Sequence, residues 1–124
     1  MNGWRSREIR SFRHAFAGIY EALRSERHMQ FHLGAALLVI ALAAWLRLSA
    51  GDWLWLLAAI TGVWVAELIN TAIERTVDRI SSEQHPLAKA AKDTAAGAVL
   101  IAALFAVGVG LIVLGPPLWK ACFQ

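Results

Sequence analysis

Glu67, Asn70, Thr71, Glu74 and Asp78 fall on one stripe of a helix when residues advance by about 100° each, with Ile69, Ala72, Ile73 and Thr76 on the opposite side. The stripe continues without a break out of the apolar run Trp53 to Ala66, so its first carboxylate stands at the end of a segment that reads as a membrane span. An ionisable group at that depth costs on the order of 2.5–3.5 kcal/mol, which makes it a candidate functional group by default. Loss of hydration favours proton uptake by a carboxylate, the property a general base needs. Glu67, the deepest of the set, is the candidate base. Glu74, two helical turns closer to water, is better placed to stay ionised and hold a divalent cation, and Glu26 is placed to complete that site from another segment. Mg²⁺ suits such a pair, because it typically uses one or two carboxylates together with waters and substrate phosphates. The competing interpretation pairs these acids with Arg75, Arg79 or Arg27 in an interfacial charge network. It is weakest for Glu67, which has no basic residue within a helical turn.

Lys92 and Asp93 stand just before another apolar run and offer a cation and an acid at the same level. Lys92 taken alone reads as a snorkelling anchor; beside an acidic site that must accept phosphate it reads as part of that site. His85, next to Pro86, is either a ligand contact or a solvated turn residue. The sequence contains no G-x-x-x-x-G-K-[ST] phosphate loop, no glycine-rich kinase loop and no Cys/His spacing for zinc. The single cysteine, Cys122, provides no disulfide framework.

The elements that must position these groups follow from composition and periodicity. Of 124 residues, 58% are hydrophobic and only 17% charged, which places the chain in the membrane class with room for one small domain and no separate soluble module. No signal peptide is expected, because a long Arg-rich polar segment precedes the first apolar run. In residues 1–27, Ile9, Phe12, Phe16, Ile19 and Leu23 recur at steps of three and four while Arg10, Arg13, Arg24 and Arg27 lie off that stripe, the pattern of a helix on the membrane surface. Its arginines sit beside membrane-directed aromatics, so lipid headgroups are the expected anions and no nucleic acid is expected. The expected spans are residues 29–48, residues 53–80 with a polar extension, and residues 86–115 with a polar start. Ala50-Gly51-Asp52 is read as the first turn between spans, Pro86 as a first-turn residue of the last helix, and Pro116-Pro117 as its stop. Gly97, Gly108 and Gly110 are read as points of close helix contact. Arginines and lysines concentrate before the first span and between the second and third, so those parts are expected on the cytoplasmic side of the cell membrane.

The residues Glu67 to Asp78 read E-x-x-N-[ST]-A-I-E-x-x-V-D, and this stretch resembles the signature of the small prokaryotic diacylglycerol kinases and their undecaprenol kinase relatives. The similarity extends through Ser82-Glu83-Gln84-His85, Ala91-Lys92-Asp93 and Gly97-Ala98-Val99-Leu100, and upstream through Ser25 to Leu33. The resemblance implies an all-α integral-membrane lipid kinase with an N-terminal amphipathic surface helix and three transmembrane helices, assembled as a homotrimer with active sites shared between subunits. It implies Glu67 as catalytic base with the amide of Asn70, and Glu26 and Glu74 as Mg²⁺ and nucleotide ligands. It also implies Arg7, Glu83, Gln84, His85, Lys92 and Asp93 as nucleotide contacts, with Asp78 as a further motif residue. His14 stands where some members have tyrosine. Glu67, Gln30, His32 and Trp45 are assigned to the lipid-substrate side.

The implied reaction is in-line transfer of the γ-phosphoryl group of ATP to a lipid hydroxyl, which depends mainly on positioning and charge neutralisation. The runs Glu26 to Leu33 and His85 to Lys89 resemble the undecaprenol branch, so undecaprenol is favoured as acceptor, giving undecaprenyl phosphate. Diacylglycerol, giving phosphatidic acid, is the alternative. A non-catalytic membrane oligomer, an ion path or a scaffold, is the rival from another class.

Overall fold

A computed structural model describes residues 2–81 and 83–124. Helices α1 (Asn2–Ser25), α2 (Arg27–Trp45), α3 (Ala50–Ile80) and α4 (Pro86–Phe123) account for nearly all of them. The last three are long and apolar enough to cross a membrane. At about 1.5 Å per residue, α2 matches a hydrocarbon core of about 30 Å, whereas α3 and α4, with 31 and 38 residues, extend beyond it. α4 packs chiefly along α3. Ala43 from α2, Leu56 and Ala59 from α3, and Val109, Val113 and Leu114 from α4 form the shared core. Large apolar side chains outside that core, among them Ile101, Leu104, Leu111 and Ile112 of α4, face outward, as lipid or a neighbouring subunit requires.

On α1 the first part of the apolar stripe also points away from the other helices, whereas Ile19 and Leu23 are half-buried. Ile9, Phe12 and Phe16 are exposed, and α1 meets the rest through the buried Ala22 near its end. The chain breaks at Glu26, whose backbone is extended (φ −104°, ψ 120°). The Gln30 amide reaches back to donate to the carbonyls of Leu23 and Arg24, both at 3.2 Å, which satisfies acceptors left open at a helix C-terminus.

The helix ends differ from the expected spans at three places, each for a local reason. α2 stops at Trp45 rather than running to Leu48. Arg47 adopts φ 53° and donates from its N–H to Ala44 at 3.3 Å, while the N–H of Leu48 reaches Ala43 at 3.3 Å, the double closure of a left-handed helix end. Ala50-Gly51-Asp52 is then not a turn but the start of α3, because Ser49 caps the helix by accepting from the Asp52 N–H at 3.2 Å. Pro116 and Pro117 do not stop α4, which continues to Phe123 with both inside it. They remove the N–H partners of the Ile112 and Val113 carbonyls, a loss that membrane helices tolerate. The start at Pro86 agrees with expectation, with His85 as the cap whose Nδ1 accepts from the Leu87 N–H at 3.1 Å.

The expectation of close helix contact at Gly97, Gly108 and Gly110 fails within the single chain, since an added Cβ at any of them meets nothing within 4 Å. Ser82, part of the sequence match, lies outside the described residues.

Arg47 is a non-glycine residue in the left-handed region, which costs an L-residue about 1–2 kcal/mol. Arg47→Gly is expected to leave stability unchanged or raise it by up to about 1 kcal/mol, and Arg47→Val to lower it by more than about 1 kcal/mol. Unfolding midpoints in detergent micelles check both.

Candidate active site

The second half of α3 is the spine of the polar end of the molecule. Its residues pass from interior to surface over about 16 Å of helix from Glu67 to Asp78. Glu67 is 5% exposed and Thr71 6%, the buried polar residues among those described. Glu67 Oε1 lies 3.1 Å from His32 Nε2, a hydrogen bond that crosses from α3 to α2. One turn on, the Asn70 amide donates to Glu74 Oε1 at 3.4 Å, and Asn70 Oδ1 is buried without a partner among the described residues. At the exposed end, Asp78 pairs with Lys92 from α4.

Glu26 belongs to the same end. Arg75, the residue after Glu74, donates to Ser25 Oγ at 2.6 Å and to Glu26 Oε1 at 3.3 Å, fastening the α1–α2 joint to α3. Glu26 and Glu74, the expected cation ligands, therefore each have a protein partner within the chain. Among the described residues no group of three His, Cys, Asp or Glu side chains converges on a common metal position.

A cleft of about 620 Å³ opens between the end of α3, the connection and the start of α4, lined by Asp78, Glu83, Gln84, His85, Lys92 and Asp93 among others. Lys92 is held above the ordinary lysine value chiefly by its hydrogen bond to Asp78; loss of hydration opposes this, and the charges of Asp78 and Glu74 add to it. Lys89 is raised in the same direction by its bond to Asp93. Both stay cationic through the neutral range, so the cleft presents two ammonium groups among its acids, a setting in which phosphate oxygens find charge-assisted donors. Towards the hydrocarbon, a narrow apolar groove of about 120 Å³ runs from His32 between α2, α3 and α4, with Ala36, Val39, Val63 and Trp64 in its walls.

The structure thus brings Glu67, Asn70, Glu74, Asp78, Glu26, His32, Lys92 and the 83–85 turn to one end of the molecule. Other expected site residues are elsewhere or otherwise engaged. Trp45 is 63% exposed at the far end of α2, about 20 Å along the helix from His32, so it shares no site with Glu67 in this chain. The Gln30 amide is spent on the end of α1. Arg7 lies near the start of α1, its Nε donating to the Gly3 carbonyl at 3.2 Å, about 27 Å along that helix from Ser25. Lys92 and Asp93, neighbours in sequence at the cleft, bond to Asp78 and Lys89 respectively. The pairs His32–Glu67 and Lys92–Asp78 had no signal in the sequence, because they join different helices, whereas Arg75–Glu26 is one of the pairings the competing interpretation foresaw.

The family model for prokaryotic diacylglycerol kinase matches residues 13–114. An undecaprenol kinase from Bacillus subtilis is 46% identical over 113 residues, covering 91% of this chain and 92% of that protein. A diacylglycerol kinase from Synechocystis is 44% identical over 109 residues, 87% of this chain and 62% of that protein. One from Escherichia coli K12 is 36% identical over 102 residues, 82% of this chain and 84% of that protein. Since these matches run through the α1–α2 joint, all of α3 and the start of α4, the chain belongs to the prokaryotic diacylglycerol kinase family of lipid kinases.

Proposed function

We propose that this chain phosphorylates undecaprenol at the cytoplasmic face of the cell membrane, with ATP and Mg²⁺, and that Glu67 is the base. The observation that carries the reading is the placement of Glu67: a buried carboxylate, hydrogen-bonded to a neighbouring helix, on the face of α3 that leads in two turns to Glu74 and the cationic cleft. The high identity with the Bacillus subtilis undecaprenol kinase supports the choice of acceptor. Diacylglycerol remains the second reading, supported by the relatives from Synechocystis and Escherichia coli.

Glu67 takes the proton of the lipid hydroxyl as the lipid oxygen forms its bond to the γ-phosphorus; the bond from that phosphorus to the β-bridging oxygen breaks and ADP leaves. Lys92 neutralises phosphate charge, Asp93 orients Lys89, and Glu83, Gln84 and His85 line the nucleotide side of the cleft. Asp78 holds Lys92 in place. The donor set Glu26 and Glu74 fits Mg²⁺, being all carboxylate oxygen, and the long 3.4 Å contact from Asn70 leaves Glu74 weakly engaged. When bound, Mg²⁺ would neutralise the β- and γ-phosphate oxygens. Glu26 is engaged by Arg75 at 3.3 Å and would have to be released or shared to hold the ion.

Three copies sharing their sites form the working unit in this reading. The outward apolar face of α4 supplies contact area for such an assembly. The basic residues of α1, and Arg75, Arg79, Lys89 and Lys92 flanking the α3–α4 connection, orient both towards the cytoplasm.

Radiolabelled γ-phosphate should pass to undecaprenol in mixed micelles only when Mg²⁺ is present, with a higher kcat/KM than for diacylglycerol offered beside it; the reverse preference would transfer the assignment to diacylglycerol. Glu67→Gln is expected to lower kcat by about 10²–10⁴-fold with KM for ATP little changed; full turnover would remove Glu67 as base. Lys92→Met is expected to raise KM for ATP about tenfold or more, the cost of one charge-assisted hydrogen bond, and an unchanged KM would separate Lys92 from the nucleotide.

A further inference from the structure

Glu67 has two carboxylate oxygens, and α2 engages one of them. His32 Nε2 lies 3.1 Å from Oε1. An ionised carboxylate only accepts, so while Glu67 serves as a base the hydrogen of this bond is on Nε2. The partnership is enclosed, with side-chain exposures of 19% for His32 and 7% for Glu67. His32 also lines the apolar groove between α2, α3 and α4, so one side of its ring faces the space a hydrocarbon chain would enter.

We propose that His32 is a positioning residue for the transfer step: its Nε2–H fixes Glu67 Oε1 and thereby aims Oε2 at the lipid hydroxyl at the mouth of the groove. The inference rests on Glu67 being the base and adds the group that makes it one. A glutamate has three rotatable side-chain bonds, and without a partner it samples rotamers that carry the carboxylate away from the reaction line. Reacting atoms must come within about 3–3.5 Å of each other, and a misplacement of about 1 Å can cost about 10²-fold in rate. His32 removes that freedom from a neighbouring helix. Its bond uses one oxygen, so proton transfer from the lipid hydroxyl to the other proceeds with His32 donating throughout.

His32 is not needed to hold α2 in place. Met29 and Ala36, on the same face one turn to either side, are buried and supply apolar contact there. A leucine at position 32 can therefore preserve the packing while deleting the donor.

The test compares His32→Leu, His32→Gln and the double variant His32→Leu/Glu67→Gln with the wild type, as purified full-length protein in mixed micelles. The expected result is that His32→Leu lowers kcat about 10²-fold with KM for ATP unchanged. His32→Gln, whose amide nitrogen can occupy the position of Nε2, should restore kcat to within about tenfold of wild type, a rescue expected of a retained donor. In the Glu67→Gln background His32→Leu should cost nothing further, because groups that act as a unit are not additive. Wild-type kcat in His32→Leu would overturn the proposal, as would a rise in lipid KM with kcat intact, which would make His32 a lipid contact. A further loss in the double variant would also overturn it. Full turnover in Glu67→Gln alone would instead sink the underlying assignment of the base, so the two failures are distinguishable.

Discussion

A carboxylate enclosed to the extent of Glu67 must find a hydrogen-bond partner inside the protein or give up its charge. The helix that carries it offers no basic residue within a turn, and the partner comes from His32 on α2. This bond crosses between α2 and α3 at the level where Met29 and Ala36 of α2 are already packed. Once Glu67 faces α2, helical periodicity brings Asn70, Thr71 and Glu74 round to the same region, and Asp78 emerges where α4 can present Lys92. The arrangement of the polar end follows from the orientation of one buried acid.

The same helix also crosses a change of medium. Glu67 and Thr71 are buried, Asn70 and Glu74 are half-buried, and Asp78 is exposed. Electrostatic interactions weaken along that path as water replaces protein and hydrocarbon. In the proposed reading the acid that accepts a proton from the lipid alcohol stands at the dry end, and the groups that meet a triphosphate stand at the wet end. α3 supplies both because it outlasts the hydrocarbon by several turns. The apolar groove opens at the dry end beside His32, and the charged cleft lies at the other.

The joint between α1 and α2 is the second structural requirement. A helix on the membrane surface must turn sharply to become a spanning helix, and the turn exposes helix-end carbonyls. Gln30 satisfies two of them, and Arg75 fastens Ser25 and Glu26 to α3. Glu26 is thereby carried to the neighbourhood of Glu74 by the same contacts that stabilise the bend.

Much of this was legible before any coordinates. The three apolar helices, the amphipathic character of α1, the acidic stripe of α3 and the start of α4 at Pro86 follow from periodicity, composition and the fixed φ of proline, all of which are local properties. The N-cap at Ser49 was legible too, in the spacing Ser49 to Asp52, but Gly51 made the segment read as a turn. The end of α2 was not, because Arg47 takes a backbone conformation more common for glycine. Pro116 and Pro117 misled for a related reason: the rule that proline ends a helix assumes water to solvate freed carbonyls and favour a break, and the apolar course of α4 offers no such alternative. What only the tertiary structure decided is which charges meet. His32 reaches Glu67, Arg75 reaches Glu26 and Lys92 reaches Asp78 across sequence separations that no periodicity encodes, since each pair depends on the rotation and register of two packed helices.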